Sequence, residues 1–156
     1  MREVHDGLFV GGELECRQAD EGWATVHACR TACREAAVGY PVDPAPDSPL
    51  ELAYEEPDDL YLCMTVLPGM LSDPILLGQF LEFVEGARDE GRPVLIHCDQ
   101  GISRAPTLAM LYLSKSADVL SDGSFEDAAA QYRERDPRYR PDRGIRLYLG
   151  ECWDSL

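Results

Sequence analysis

Blocks of apolar and polar positions along this chain separate into alternating strand and helix patterns. Val4 to Val10 straddles His5-Asp6-Gly7 and closes at Gly11-Gly12, which predicts a β-hairpin. Charged Glu13 to Glu21 predicts a short helical link, and Trp23-Ala24-Thr25-Val26-His27-Ala28 alternates and then runs apolar, as a strand does. Arg30 to Val38 carries a weak helical pattern, and Leu60 to Val66 reads as the next strand. From Pro74 to Asp89, Leu76, Phe80, Phe83, Val84 and Ala87 share one helical face, with Gly91 and Pro93 as stop signals. Val94-Leu95-Ile96 is a continuous apolar run, the mark of a buried strand, and it ends in His97. Pro106 to Lys115 is apolar nearly all round and predicts a buried helix. Ser124 caps a helix from Phe125 to about Arg135, and a last helix runs from Arg143 or Gly144 to Trp153.

This alternation predicts an α/β domain: a central, largely parallel sheet of four to five strands with helices on both faces. With 156 residues, 45% of them apolar, the chain forms one domain over 1–156 with a sizeable core. Between Tyr40 and Asp59 the pattern lapses, and five prolines and seven acidic residues make a long acidic surface loop. That loop is either a rim that selects substrate or a solvated insertion. No apolar run reaches membrane-spanning length, and the polar start Met1-Arg2-Glu3-Val4-His5-Asp6 is unlike a secretory signal. A cytoplasmic protein without membrane partners is expected.

Charge narrows the functions. The net charge is −15, with Lys115 the single lysine against thirteen arginines. A general nucleic-acid binder needs a basic face, so nucleic acid is not an expected partner. Arg133, Arg135, Arg138, Arg140, Arg143 and Arg146 concentrate positive charge near the C-terminal end. Ion pairing with the many carboxylates accounts for most of them, leaving one or two to steer an anion.

The candidate chemistry lies in Val94-Leu95-Ile96-His97-Cys98-Asp99-Gln100-Gly101-Ile102-Ser103-Arg104-Ala105-Pro106-Thr107, a strand, a short loop and the opening of a helix. Peptide N–H groups at a helix start lack internal acceptors, and the helix dipole adds partial positive charge there, so such a turn binds anions. Gly101 permits a tight, positive-φ nest of N–H groups. Cys98 stands at its mouth, where the same field favours the nucleophilic thiolate. Arg104, separated from Cys98 by five residues, offers a planar fork to two oxygens of a phosphoryl group.

His97-Cys98, five residues and Arg104 resemble the signature of the cysteine-based protein phosphatases, and Gly101 to Thr107 is most similar to the dual-specificity branch. The tail with Pro141-Asp142-Arg143-Gly144 is similar to the C-terminal region of that branch. The resemblance implies attack by Cys98 on phosphorus and a cysteinyl-phosphate that water then hydrolyses. It assigns phosphate binding to Asp99, Gln100, Gly101, Ile102, Ser103 and Arg104, with His97, Ala105 and Thr107 supporting the loop. It implies no metal and no cofactor, and a phosphorylated protein or small phosphomonoester as substrate.

Two positions depart from the family pattern. Where the family has Ser or Thr after the arginine, this chain has Ala105, so breakdown of the phosphoenzyme is expected to be slow unless Ser103 or Thr107 turns a hydroxyl to the sulfur. The family's general acid is an upstream aspartate, and the only acidic residue between Leu60 and Leu81 is Asp73. Asp73 precedes Pro74, so it is either that acid or the cap of the helix that follows.

The six cysteines, Cys16, Cys29, Cys33, Cys63, Cys98 and Cys152, form no C-x-x-C pair and are expected to be reduced. His27, Cys29 and Cys33 lie close in sequence, but no fourth metal ligand stands at a recognisable spacing. In the resembling family a second cysteine can protect the nucleophile as a disulfide, and Cys63 is then the candidate, against a plain buried thiol. The function expected is a protein-tyrosine or dual-specificity phosphatase. The alternatives are a phosphate-recognition module with little turnover and a rhodanese-like sulfur carrier, against which the His97 to Thr107 pattern argues.

Overall fold

A computed structural model describes residues 1–29, 33, 53–62, 64 and 74–156. The strands are β1 (Arg2–His5), β2 (Leu8–Gly11), β3 (Ala24–His27), β4 (Ala53–Glu55), β5 (Asp59–Leu62) and β6 (Val94–His97). The α-helices are α1 (Pro74–Asp89), α2 (Arg104–Lys115), α3 (Phe125–Arg135) and α4 (Arg143–Cys152), with 3-10 turns at Glu13–Gln18 and Trp153–Ser155. The sheet order is β1-β2-β6-β3-β5-β4. β2, β6, β3 and β5 run parallel, and β1 and β4 pair antiparallel at the two edges.

The expected class therefore stands, and the strand count rises to six. The addition is Ala53–Glu55, inside the stretch read as a loop over 40–59. Three residues are too few to show alternation, and the antiparallel pairing with Leu60 to Leu62 that defines them is invisible to a local pattern. The Arg30–Val38 helix apart from Cys33, the loop over 40–52, Cys63, the end of the Leu60–Val66 strand and the segment up to Asp73 lie outside the described residues.

Register explains where the core sits. Leu8 and Val10, Ala24 and Val26, and Val94 and Ile96 are cross-strand partners and share one face. All of them are buried in one cluster with Phe80 and Val84 of α1, Leu108 and Leu111 of α2, Tyr132 of α3 and Leu149 of α4. Each such side chain adds about 2 kcal/mol from apolar burial. The intervening positions Thr25, His27, Tyr61, Leu95 and His97 face the other way. That second face carries the Glu13–Gln18 turn and the helical Cys33.

Helix α2 begins two residues before the predicted start at Pro106. Ser103 is its N-cap and Pro106 its third residue, where a missing N–H costs nothing because the first turn has no internal acceptors. Ser124 and Asp142 cap α3 and α4, accepting bonds from Asp127 N (3.1 Å) and Ile145 N (2.9 Å).

Candidate active site

Strand β6 lies in the middle of the parallel strands and delivers Cys98 at its carboxyl end. The Cys98 side chain is almost fully buried, and its N–H donates to Gly11 O at 3.2 Å. Gly101 takes φ +67° and aims its N–H at Cys98 Sγ, 3.3 Å away. A Cβ at Gly101 would stand 2.6 Å from the backbone of Gly11, so the loop and the β2 end can approach this closely only with glycine.

Four of the loop's carbonyls are held, three by donors from elsewhere in the fold and one by the helix that follows. Glu13 N donates to Asp99 O (3.1 Å), Arg2 Nη2 to Gly101 O, Arg140 N to Ile102 O (2.8 Å), and Thr107 N to Ser103 O (3.0 Å). In a planar trans peptide the N–H points opposite to the carbonyl. The N–H groups of Gln100, Ile102, Ser103 and Arg104 therefore turn into the concave side, and the described residues give them no acceptor. That is an anion nest ahead of α2.

Arg104 is largely buried. Its Nη1 donates to Ala28 O (3.1 Å) and Met64 O (2.9 Å), and its Nη2 to Asp99 Oδ2 (2.5 Å). Of the five N–H groups of a guanidinium, Nε–H and one on Nη2 are left without a partner among the described residues, enough for a two-point grip on a phosphoryl group. A cavity of about 350 Å³ opens here, walled by Cys98, Gln100, Ile102 and Arg104 and, opposite, by Arg140 and Asp142.

The predicted loop residues thus converge. The hydroxyls do not reach the sulfur: Ser103 Oγ accepts from Asp142 N (3.1 Å), while Thr107 Oγ1 donates to Ser103 O (2.8 Å) and lies 3.2 Å from Tyr139 Oη. Ala105 is buried and has no hydroxyl to offer. Asp73 and Cys63 lie outside the described residues. Among the described residues none of the six C-terminal arginines forms a salt bridge; Arg140 lines the cavity and Arg133 lies over the Tyr139 ring.

Arg2 and Asp136 carry no mark in the sequence, and Asp142 entered only within the Pro141 to Gly144 resemblance, without a role at the site. Asp142 alone left a signal, as a cap ahead of a helical pattern. Arg2 and Asp136 are joined only by the fold.

His97 turns away from Cys98 onto the second face of the sheet, and its polar contacts run through Nε2, 2.7 Å from His27 Nδ1 and 3.9 Å from Cys33 Sγ. Its Nδ1 has no hydrogen-bond partner among the described residues. Cys16 Sγ lies 3.6 Å from His27 Nδ1, and His27 Nε2 donates to Asp59 Oδ1 at 2.8 Å. A hydrogen bond between the Cys16 and Cys33 thiols pulls the Cys16 pKa down and pushes the Cys33 pKa up. Burial presses the His27 pKa down, yet its bonds to Cys16 and Asp59 leave it raised. Of the trio His27, Cys29 and Cys33 noted in the sequence, His27 and Cys33 belong to this group and Cys29 does not, and Cys16 and His97 complete it.

A buried cysteine at the floor of an N–H nest, with an arginine closing it at a helix start at the carboxyl end of a parallel strand, marks an α/β domain of the cysteine-loop class. Residues 57–147, more than half of the chain, match the family described as "Dual specificity phosphatase, catalytic domain", and the chain belongs to that family. Dual specificity protein phosphatase Mpk3 of Drosophila melanogaster is 30% identical over 118 residues, covering 74% of this chain and 28% of the relative. Dual specificity protein phosphatase 12 of Mus musculus is 27% identical over 151 residues, 94% of this chain and 39% of the relative. This chain thus spans well under half the length of these two relatives. The crystal structure of human DUSP28 shares the fold with a TM-score of 0.66 at 20% identity, covering 99% of this chain and 93% of that one. No helix of the described residues is long and apolar enough to cross a membrane.

Proposed function

We propose that this chain is a cysteine-dependent protein phosphatase, hydrolysing phosphomonoesters of tyrosine, serine and threonine side chains through a cysteinyl-phosphate. The observation that carries this reading is Cys98 Sγ under the Gly101 N–H at 3.3 Å, in a loop whose other N–H groups turn toward the same space as Arg104. A pure phosphate binder has no use for the thiol.

In the first half-reaction the Cys98 thiolate attacks phosphorus. The S–P bond forms as the bond to the alcohol or phenol breaks, and the leaving oxygen takes a proton, for which Asp73 is the candidate donor. The nest and the Arg104 fork meet the charge spread over the three equatorial oxygens. In the second half-reaction water attacks, the P–S bond breaks, phosphate leaves and the thiolate returns. No hydroxyl stands by the departing sulfur, so this step limits turnover. The same feature is what favours the alternative, a recognition module that barely turns over.

A rapid-mix time course with p-nitrophenyl phosphate separates the two. A stoichiometric burst followed by slow turnover, both lost in Cys98→Ser, supports the enzyme. Phosphate or vanadate binding without a burst supports the module.

A further inference from the structure

We propose that Cys16, His27, Cys33 and His97 form a closed, four-ligand zinc site on the face of the sheet opposite the catalytic loop's core side. The four donor atoms, two Sγ, His27 Nδ1 and His97 Nε2, all lie within 4.8 Å of one another. They come from separate stretches: the Glu13–Gln18 turn, the end of β3, the helical Cys33 and the end of β6. Register makes the pair of histidines possible, because His27 and His97 are direct cross-strand partners on parallel neighbours.

The distances suit the ion. With Zn–S about 2.3 Å and Zn–N about 2.0–2.1 Å, a regular tetrahedron has S···N edges of about 3.6 Å and an N···N edge of about 3.3 Å. Two of the four S···N separations are 3.6 Å and 3.9 Å, already near that length, the facing imidazole nitrogens, 2.7 Å apart, need to part by about 0.6 Å, and no donor pair lies beyond 4.8 Å.

The chemistry of the donors points the same way. Thiolate and imidazole ligands select zinc over magnesium or calcium. Two thiolates neutralise the divalent charge, which matters where His27 and His97 are both buried. His27 Nε2 donates to the Asp59 carboxylate, which fixes the tautomer with the Nδ1 lone pair turned inward, the outer partner that metal-bound histidines usually have. The His97 ring makes all its described polar contacts through the nitrogen that faces the cluster.

The site would act on catalysis by position. His97 immediately precedes Cys98, and Ala28, next to His27, accepts a bond from Arg104 Nη1 at 3.1 Å through its carbonyl and donates to His97 O at 2.8 Å. An ion joining these strand ends fixes the base of the phosphate loop without touching substrate.

Cobalt(II) titration of the reduced full chain tests this, read by visible absorption and by metal content. One equivalent should bind with the intense d–d bands of tetrahedral cobalt and a thiolate charge-transfer band, and zinc should displace it. Cys16→Ser and Cys33→Ser should each lose that spectrum, while Cys98→Ser keeps it. Asp59→Asn, which leaves all four ligands in place, should weaken binding on the order of 10–100-fold. A weak octahedral cobalt spectrum, a spectrum that depends on Cys98, or a Cys16–Cys33 disulfide in the protein isolated without reductant and incompetent for metal after reduction would each overturn the proposal.

Discussion

Arg2 and Asp136, 134 residues apart, form a two-point ion pair, Nε to Oδ1 at 2.9 Å and Nη2 to Oδ2 at 2.8 Å, and the same guanidinium also holds the Gly101 carbonyl. Asp136 is fully buried. Arg2→Ala leaves that carboxylate without its cation, and unfolding in urea should show a loss of about 3 kcal/mol. The KM for p-nitrophenyl phosphate should rise as well, since Gly101 loses its outside anchor. In the double variant with Asp136→Asn the losses should not add, and the difference measures the coupling.

Asp99 and a bound phosphoryl group draw on the same guanidinium. Asp99 Oδ2 sits 2.5 Å from Arg104 Nη2, on a half-exposed side chain. Removing this charge with Asp99→Asn should tighten vanadate inhibition about two- to fivefold, in line with a partly exposed pair. Weaker inhibition would mean the carboxylate orients Arg104 more than it competes.

Gly101→Ala meets two obstacles together. The φ of +67° costs a Cβ-bearing residue about 1–2 kcal/mol, and the new methyl would meet Gly11 backbone at 2.6 Å. Stability should fall by at least about 2 kcal/mol, with vanadate binding lost at temperatures where the chain remains folded by circular dichroism.

Ala105→Ser supplies the hydroxyl that the family pattern carries after the arginine. A hydrogen bond to the departing thiolate is worth about 1.5 kcal/mol, so steady-state turnover should rise about tenfold and the burst should shrink. An unchanged rate would place the limit in another step.

His5 gives the fold an acid-side weakness. Burial, then Arg135 and Arg88, hold its pKa below the ordinary 6.5, so the unfolded chain takes up a proton that the folded chain refuses. Stability therefore declines as pH falls through about 6.5 and levels off once the folded His5 also protonates. Melting temperatures of His5→Gln against the parent, measured from pH 7.5 to 5, should show a shallower decline in the variant.

Much of this was legible in the chain because the signals are local. The Pro74–Asp89 helix carries its own face and stops, and the catalytic loop announces itself by a strand end, a glycine and a helix start within eleven residues. What was not legible depends on strands far apart in sequence becoming neighbours. His27 beside His97, Cys16 above them and Arg2 on Asp136 each require the sheet order to be known. The Ala53–Glu55 strand was hidden for a different reason: it is only three residues long and defined by its partner.

The catalytic loop takes its shape from donors at residues 2, 13, 107 and 140, nearly the full span of the chain. Local opening around Arg2 or Arg140 removes one of those donors before the core opens. Vanadate binding at the loop is then a more sensitive reporter of partial unfolding than any bulk spectroscopic signal: on warming, it should decay several degrees ahead of the main transition and return on cooling. Damage at Arg2 or near Arg140 would unshape the phosphate loop while most of the core remains intact.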